Sequence, residues 1–108
     1  MNREERIGRN EALFRELNER IDSLNEAGAQ ANAIPAVCEC GSSSCAEIVW
    51  IDRADYEAVR VHSERFLIKP GHQIEDVEDV VAEGTVFAVV AKKPGDPQRI
   101  AEETDPRR

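Results

Sequence analysis

Three cysteines crowded into eight residues constrain this chain more than any other feature. The stretch Cys38-Glu39-Cys40-Gly41-Ser42-Ser43-Ser44-Cys45 holds every cysteine of the 108-residue sequence, spaced C-x-C-x4-C. An odd count leaves one thiol over in any purely disulfide framework. In a strand, residues i and i+2 share a face, so Cys38 and Cys40 can aim at one point. At a rise of ~3.3 Å per residue their Cα atoms would lie about 6.6 Å apart, near the upper end for an unstrained disulfide. A tetrahedral zinc ion needs sulfurs only ~3.7 Å apart, which leaning Cβ–S bonds can supply. Gly41 and the serines let the chain double back and deliver Cys45 as a third ligand. The C-x-C pair departs from the C-x2-C to C-x4-C spacing of common zinc fingers.

A fourth ligand is then needed, and the chain has two histidines. His72 follows Pro70-Gly71 in a tight turn, whereas His62 has Arg60 and Glu64 for near neighbours. His72 is the better candidate; His62, a carboxylate or water are the alternatives. One zinc ion held by Cys38, Cys40, Cys45 and His72 would be a closed, structural site, since catalytic zinc keeps a position open. The alternative is a set of idle or buried thiols with a surface histidine. The sequence has no H-E-x-x-H and no H-x-E paired with P-C-x-x-C, so protease and deaminase readings lack their base. Gly-x-Ser-x-Gly and Gly-Lys-Ser/Thr are absent as well, and the serines read as turn formers. No catalytic or organic-cofactor residue is assigned, and an enzyme is not expected.

Charge narrows the class of partner. Residues 1–20 carry five Arg and five Glu, so the net charge of −8 belongs to residues 21–108. An acidic domain repels phosphate backbones, which disfavours direct nucleic-acid binding. The longest apolar run, Val86 to Ala91, spans six residues, and a membrane-crossing helix needs about twenty. No membrane association is expected. The opening Met1–Arg6 leads into no apolar export segment. A reducing cytoplasm is the expected location, where clustered cysteines more often hold metal than pair.

The chain divides into a helix at 1–27, a linker at 28–35, a metal-stapled core at 36–93 and a flexible polar tail at 94–108. In the first part, Ile7, Phe14, Leu17, Ile21 and Leu24 fall on a seven-residue repeat with Asn10 in a polar slot. Glu11/Arg15 and Glu16/Arg20 stand at i,i+4 spacing. That stripe is either a short dimerisation zipper or the face that packs on the protein's own core. In the core, Val37–Cys40, Glu47–Ile51, Phe66–Lys69 and Thr85–Lys92 read as strands. A helix is predicted over 53–63 with Asp52 as N-cap. A second is predicted over 74–83, where Ile74, Val77, Val80 and Val81 have helical spacing and the acidic residues 75–79 suit a helix start. Those acidic side chains read as a solvated face, and Trp50 as a core residue. The tail, 94–108, is proline-punctuated and reads as extended or mobile.

The expected architecture is therefore α+β: a long N-terminal helix, then a small, mainly antiparallel sheet with two short helices and a zinc-knuckle-like site. The expected role is a non-enzymatic interaction module, with helix 3–27 or tail 94–108 open to a protein partner and a homodimer as one form. A thiol-based redox or metal sensor built on the three cysteines is the alternative.

The blocks Asn10–Ile21, Cys38-Glu39-Cys40 with Cys45, Tyr56–Arg60, Arg65-Phe66 with Pro70-Gly71-His72, and Glu103–Arg107 resemble a group of small uncharacterised bacterial proteins. In that group the C-x-C, the later cysteine and Pro-Gly-His recur. The resemblance implies four metal ligands and carries no activity.

Overall fold

The computed structural model of the protein describes residues 1–28 and 32–107. Helix α1 (Arg3–Gly28) precedes strands β1 (Ala33–Val37) and β2 (Ile48–Asp52), helix α2 (Arg53–Arg60), strands β3 (Arg65–Ile68), β4 (Glu78–Glu83) and β5 (Ala88–Lys92), and helix α3 (Asp96–Glu103). The fold is α+β, as expected, but its strands form two antiparallel sheets, β1-β2 and β3-β5-β4. Residues 29–31, within the stretch read as a linker, lie outside the described residues. The end of that stretch already belongs to β1.

Alternation explains the first sheet. Ile34, Ala36, Val49 and Ile51 point inward and are buried, while Ile48, Trp50 and Asp52 point out. The inward set packs with Tyr56, Val59, Phe66, Leu67, Ile68 and Val90 in one core. Full burial of such side chains contributes roughly 2 kcal/mol each. Trp50, expected in that core, is 62% exposed, because strand parity puts it on the outer face. Asp52 does stand at the N-cap of α2, but its side chain makes no capping bond there. At the other end of the chain, Asn2 caps α1: its Oδ1 accepts from the Glu5 N–H at 2.8 Å.

Helix α1 buries an unexpected face. Leu17 and Leu24 of the apolar repeat are exposed, as is Leu13. Ile7 is buried and Ile21 packs on the core. Alongside Ile7, the deeply buried residues are Glu11, Arg15, Asn18 and Asp22. The helix docks through polar groups because each finds a partner across the interface. Arg15 donates to the carbonyls of Ser63 and Ala101 and lies over the Phe66 ring. Glu11 contacts Lys92 Nζ. The Glu11/Arg15 pair expected along the helix is thus replaced by long-range contacts.

Two segments differ in kind from their sequence reading. Residues 78–83, expected within a helix, form β4 and pair with β5. The acidic run mimics a helix start, but Glu78 is drawn inside, where it accepts from Lys92 Nζ and from the Ile74 N–H. A register shift between Val80 and Ala82 leaves both Val80 and Val81 exposed. The segment read as an extended tail contains α3, which packs against α1. Its proline sits in the first turn, where a missing N–H costs nothing. Ile100 and Ala101 supply its buried face. Arg107 beyond it pairs with Glu19 and Glu57.

Candidate metal centre

Beyond Val37 the chain stays extended for three residues, held on both sides by backbone bonds. The Cys38 N–H donates to the Glu47 carbonyl at 2.9 Å, and the Glu39 N–H to the Leu67 carbonyl at 2.8 Å. Cys38 and Cys40 therefore face one way and Glu39 the other. Gly41 follows, buried under α1. A Cβ there would come within 2.4 Å of Ile7 Cγ2, a distance no side chain tolerates, and the Gly41 carbonyl accepts from Asn10 Nδ2. The serines then turn the chain, with the Cys45 N–H reaching back to the Ser42 carbonyl at 3.3 Å.

The fourth residue arrives from the end of β3. The His72 N–H donates to the Lys69 carbonyl at 3.1 Å, and Gly71 has φ +88°. This is a β-turn with proline and then glycine in the positions their backbones favour. It brings His72 Nδ1 to 3.6 Å from Cys38 Sγ and 3.7 Å from Cys45 Sγ. The ligand atoms of Cys38, Cys40, Cys45 and His72 all lie within 4.8 Å of one another. Ligands around one tetrahedral zinc stand about 3.5–3.8 Å apart, so the cluster is the right size for one ion. The three cysteines are free of disulfides.

Local electrostatics favour one thiolate in the Cys38/Cys40 pair. The Lys69 N–H donates to Cys38 Sγ at 3.2 Å, a contact that stabilises negative sulfur. Cys40 is pulled down to about 5, chiefly by a hydrogen bond from the Cys38 thiol, with backbone help from Ser42. Cys38 is correspondingly raised, through sharing that proton and through burial. Two adjacent sulfurs with one proton between them are a pair from which a soft cation displaces the proton. Cys38 and Cys40 are buried; Cys45 and His72 are half-buried and line a cleft of ≈ 410 Å³ with Ser42, Ala46 and Glu47.

The sequence reading named all four clustered residues, and they come together. His62, the weaker alternative, lies in the turn after α2, exposed and 3.8 Å from Glu64. What the reading missed is the support behind the cluster. Glu39 is fully buried. Its carboxylate accepts from both terminal nitrogens of Arg60 at 2.6 and 2.8 Å, from Asn18 Nδ2 at 2.7 Å and from the Leu67 N–H at 3.0 Å. Burial works against the Arg60 charge, but Glu39 outweighs it and the guanidinium is held above its ordinary pKa. Asn18 also exchanges two bonds with the Val37 backbone. The signal was present: between two strand cysteines facing a metal, the middle residue must face the core, and here it is a carboxylate.

Comparison of the chain with protein-family profiles, with curated proteins and with solved structures gave no match.

Proposed function

We propose that this chain is a non-enzymatic, zinc-stapled interaction module of the cytoplasm. In it one structural zinc ion is held by Cys38, Cys40, Cys45 and His72. The observation that carries the reading is the convergence of four metal-ligating atoms, from segments 27 residues or more apart across the Cys45–His72 step, within 4.8 Å. Three sulfurs and one imidazole form a soft donor set suited to zinc, and they leave no coordination position for a substrate. Zinc also suits a chain whose thiols are reduced. No helix among the described residues is long and apolar enough to cross a membrane. The exposed Leu13, Leu17 and Leu24 of α1 offer a protein partner an apolar stripe.

The test is elemental analysis of the purified chain beside Cys38→Ser, Cys40→Ser, Cys45→Ser and His72→Ala. Wild type should carry one zinc per chain, and a chelator that removes it should lower the urea midpoint sharply. Each variant should bind at least about tenfold more weakly. Wild type without metal, or His72→Ala binding as well as wild type, would sink the four-ligand site. Reversible metal loss that leaves the urea midpoint unchanged would instead favour the thiol-based sensor, a reading supported by the exposure of Cys45 on the cleft.

A further inference from the structure

We propose that the outer edge of β2 is a self-association surface, on which two copies of the chain pair β2 against β2 in an antiparallel register centred on Trp50. The inference does not depend on the metal.

Hydrogen-bond parity along the first sheet shows which groups are unused. The Cys38 N–H bonds to the Glu47 carbonyl and the Arg53 N–H to the Asn32 carbonyl. In an antiparallel ladder bonded and non-bonded pairs alternate, so Val49 and Ile51 also bond to β1. Ile48, Trp50 and Asp52 therefore direct their N–H and C=O groups away from β1. The other two edges are at least partly taken, and α1 packs on β1. The Val37 N–H and C=O on the outer side of β1 are both bonded to Asn18. Leu67 on the outer side of β3 is bonded to Glu39 through both its backbone groups.

Among the described residues two edges stay open, β4 and β2, and they are built differently. The β4 edge carries Glu78, Asp79 and Glu83 and a register break, the devices that keep edges from pairing. The β2 edge has an unbroken register with β1, no proline and no lysine. It presents Trp50, 62% exposed, and Ile48, 44% exposed.

A second β2 fits this edge by its own symmetry. Centring on Trp50 sets Ile48, Trp50 and Asp52 opposite Asp52, Trp50 and Ile48 of the second copy, and these are the residues whose backbone groups point outward. Trp50 meets Trp50 on the outer face, an aromatic cross-strand pair. Val49 and Ile51, each 1% exposed, stay within their own core on the inner face. A shift by two residues in either direction loses backbone bonds and the Trp50–Trp50 pair. The product is a four-stranded sheet, β1-β2-β2-β1, that seals the open edge of each copy.

Sedimentation of the full chain between about 1 and 500 µM tests this, with fluorescence of Trp50, the only tryptophan, read on the same samples. Association to a dimer should be concentration-dependent, and Trp50 emission should shift to the blue along the same curve. Trp50→Lys and, separately, Ile48→Lys should weaken association about tenfold or more without changing the far-ultraviolet dichroism. Leu17→Lys, on the exposed side of α1, should leave the dimer intact. A monomer throughout the range overturns the proposal, including one that instead captures an extended peptide. So does a dimer that both β2 variants leave untouched, or one that Leu17→Lys dissolves.

Discussion

Glu39 lies between two candidate metal ligands and touches no metal position, yet four hydrogen bonds converge on its carboxylate. Those bonds come from three directions: one from α1 through Asn18, two from α2 through Arg60, and one from β3 through Leu67. Fixing Glu39 fixes the backbone between Cys38 and Cys40, and hence the bite of the first two sulfurs. A buried ion pair adds little over an apolar pair of the same shape, but removing one partner leaves an uncompensated charge. Glu39→Ala should therefore destabilise the fold by about 3–5 kcal/mol, measured by urea unfolding of the zinc-loaded protein. It should also weaken zinc binding, although no ligand is lost. Arg60→Met in the same background should recover part of the stability by removing the stranded charge. Additive losses in the double variant would show that the two side chains do not act as a pair.

At the scale of elements, Arg15 decides where the C-terminal segment goes. Among the described residues its guanidinium has no carboxylate partner in direct contact. It donates instead to the Ala101 carbonyl and Thr104 Oγ1 at the end of α3, and to the Ser63 carbonyl. A cation at a helix C-terminus is favoured by the helix dipole. That compensates for burial, which together with nearby Arg60 lowers the Arg15 pKa. Arg15→Met keeps the contact with Phe66 and removes the donors. Amide exchange across 96–103 should then speed up by at least about tenfold, a loss of roughly 1.4 kcal/mol of local protection, while β3 and β5 stay protected. Unchanged exchange in α3 would mean that Ile100 and Ala101 hold it unaided. The same residues show why some elements were legible in the sequence and others were not. Strands β2 and β3 and helix α2 follow local patterns, namely alternation, β-branched runs and a capping position. The cysteine cluster was legible because ligand chemistry restricts residue type. Arg15, Glu11 and Asn18 look like solvated helix residues in any window of sequence, and only their distant partners make them interior. Segment 78–83 was misread for the same reason, since the partner that draws Glu78 inside is Lys92, on another strand.

For the whole molecule, two linkages of opposite sign act on stability. Glu11, Glu78 and Lys92 form a buried cluster joining α1, β4 and β5. It contains two carboxylates for one ammonium group. Burial raises Glu11 to about 8, against the pull of Lys92 and with a further push from Glu78. Its ordinary value is near 4.5, so between those values the folded chain keeps a proton that the unfolded chain has released. The unfolded state then binds fewer protons, and stability must fall as pH rises from about 4.5 to about 8. Zinc works the other way, because protons compete for the thiolates and the imidazole, so the metal's contribution grows as pH rises. With chelator present, stability should decline across that window, by about 1.4 kcal/mol per unit of pH at most. With zinc present, stability should rise from the acid side, peak, and then fall toward pH 8. Glu11→Gln keeps the shape of the side chain and cannot ionise, so it should flatten the chelated curve and remove the fall on the alkaline side of the zinc-loaded one. Urea unfolding at half-unit steps from pH 5 to 8.5, for both proteins with and without zinc, separates the two contributions. Parallel curves with and without metal would mean that zinc is not part of the folded state, and an unchanged slope in Glu11→Gln would assign the alkaline loss to another group. The two effects are coupled through α1, whose Glu11 reaches the second sheet while its Asn18 holds the cysteine strand of the first. Weakening either attachment should therefore lower the stability that the other provides.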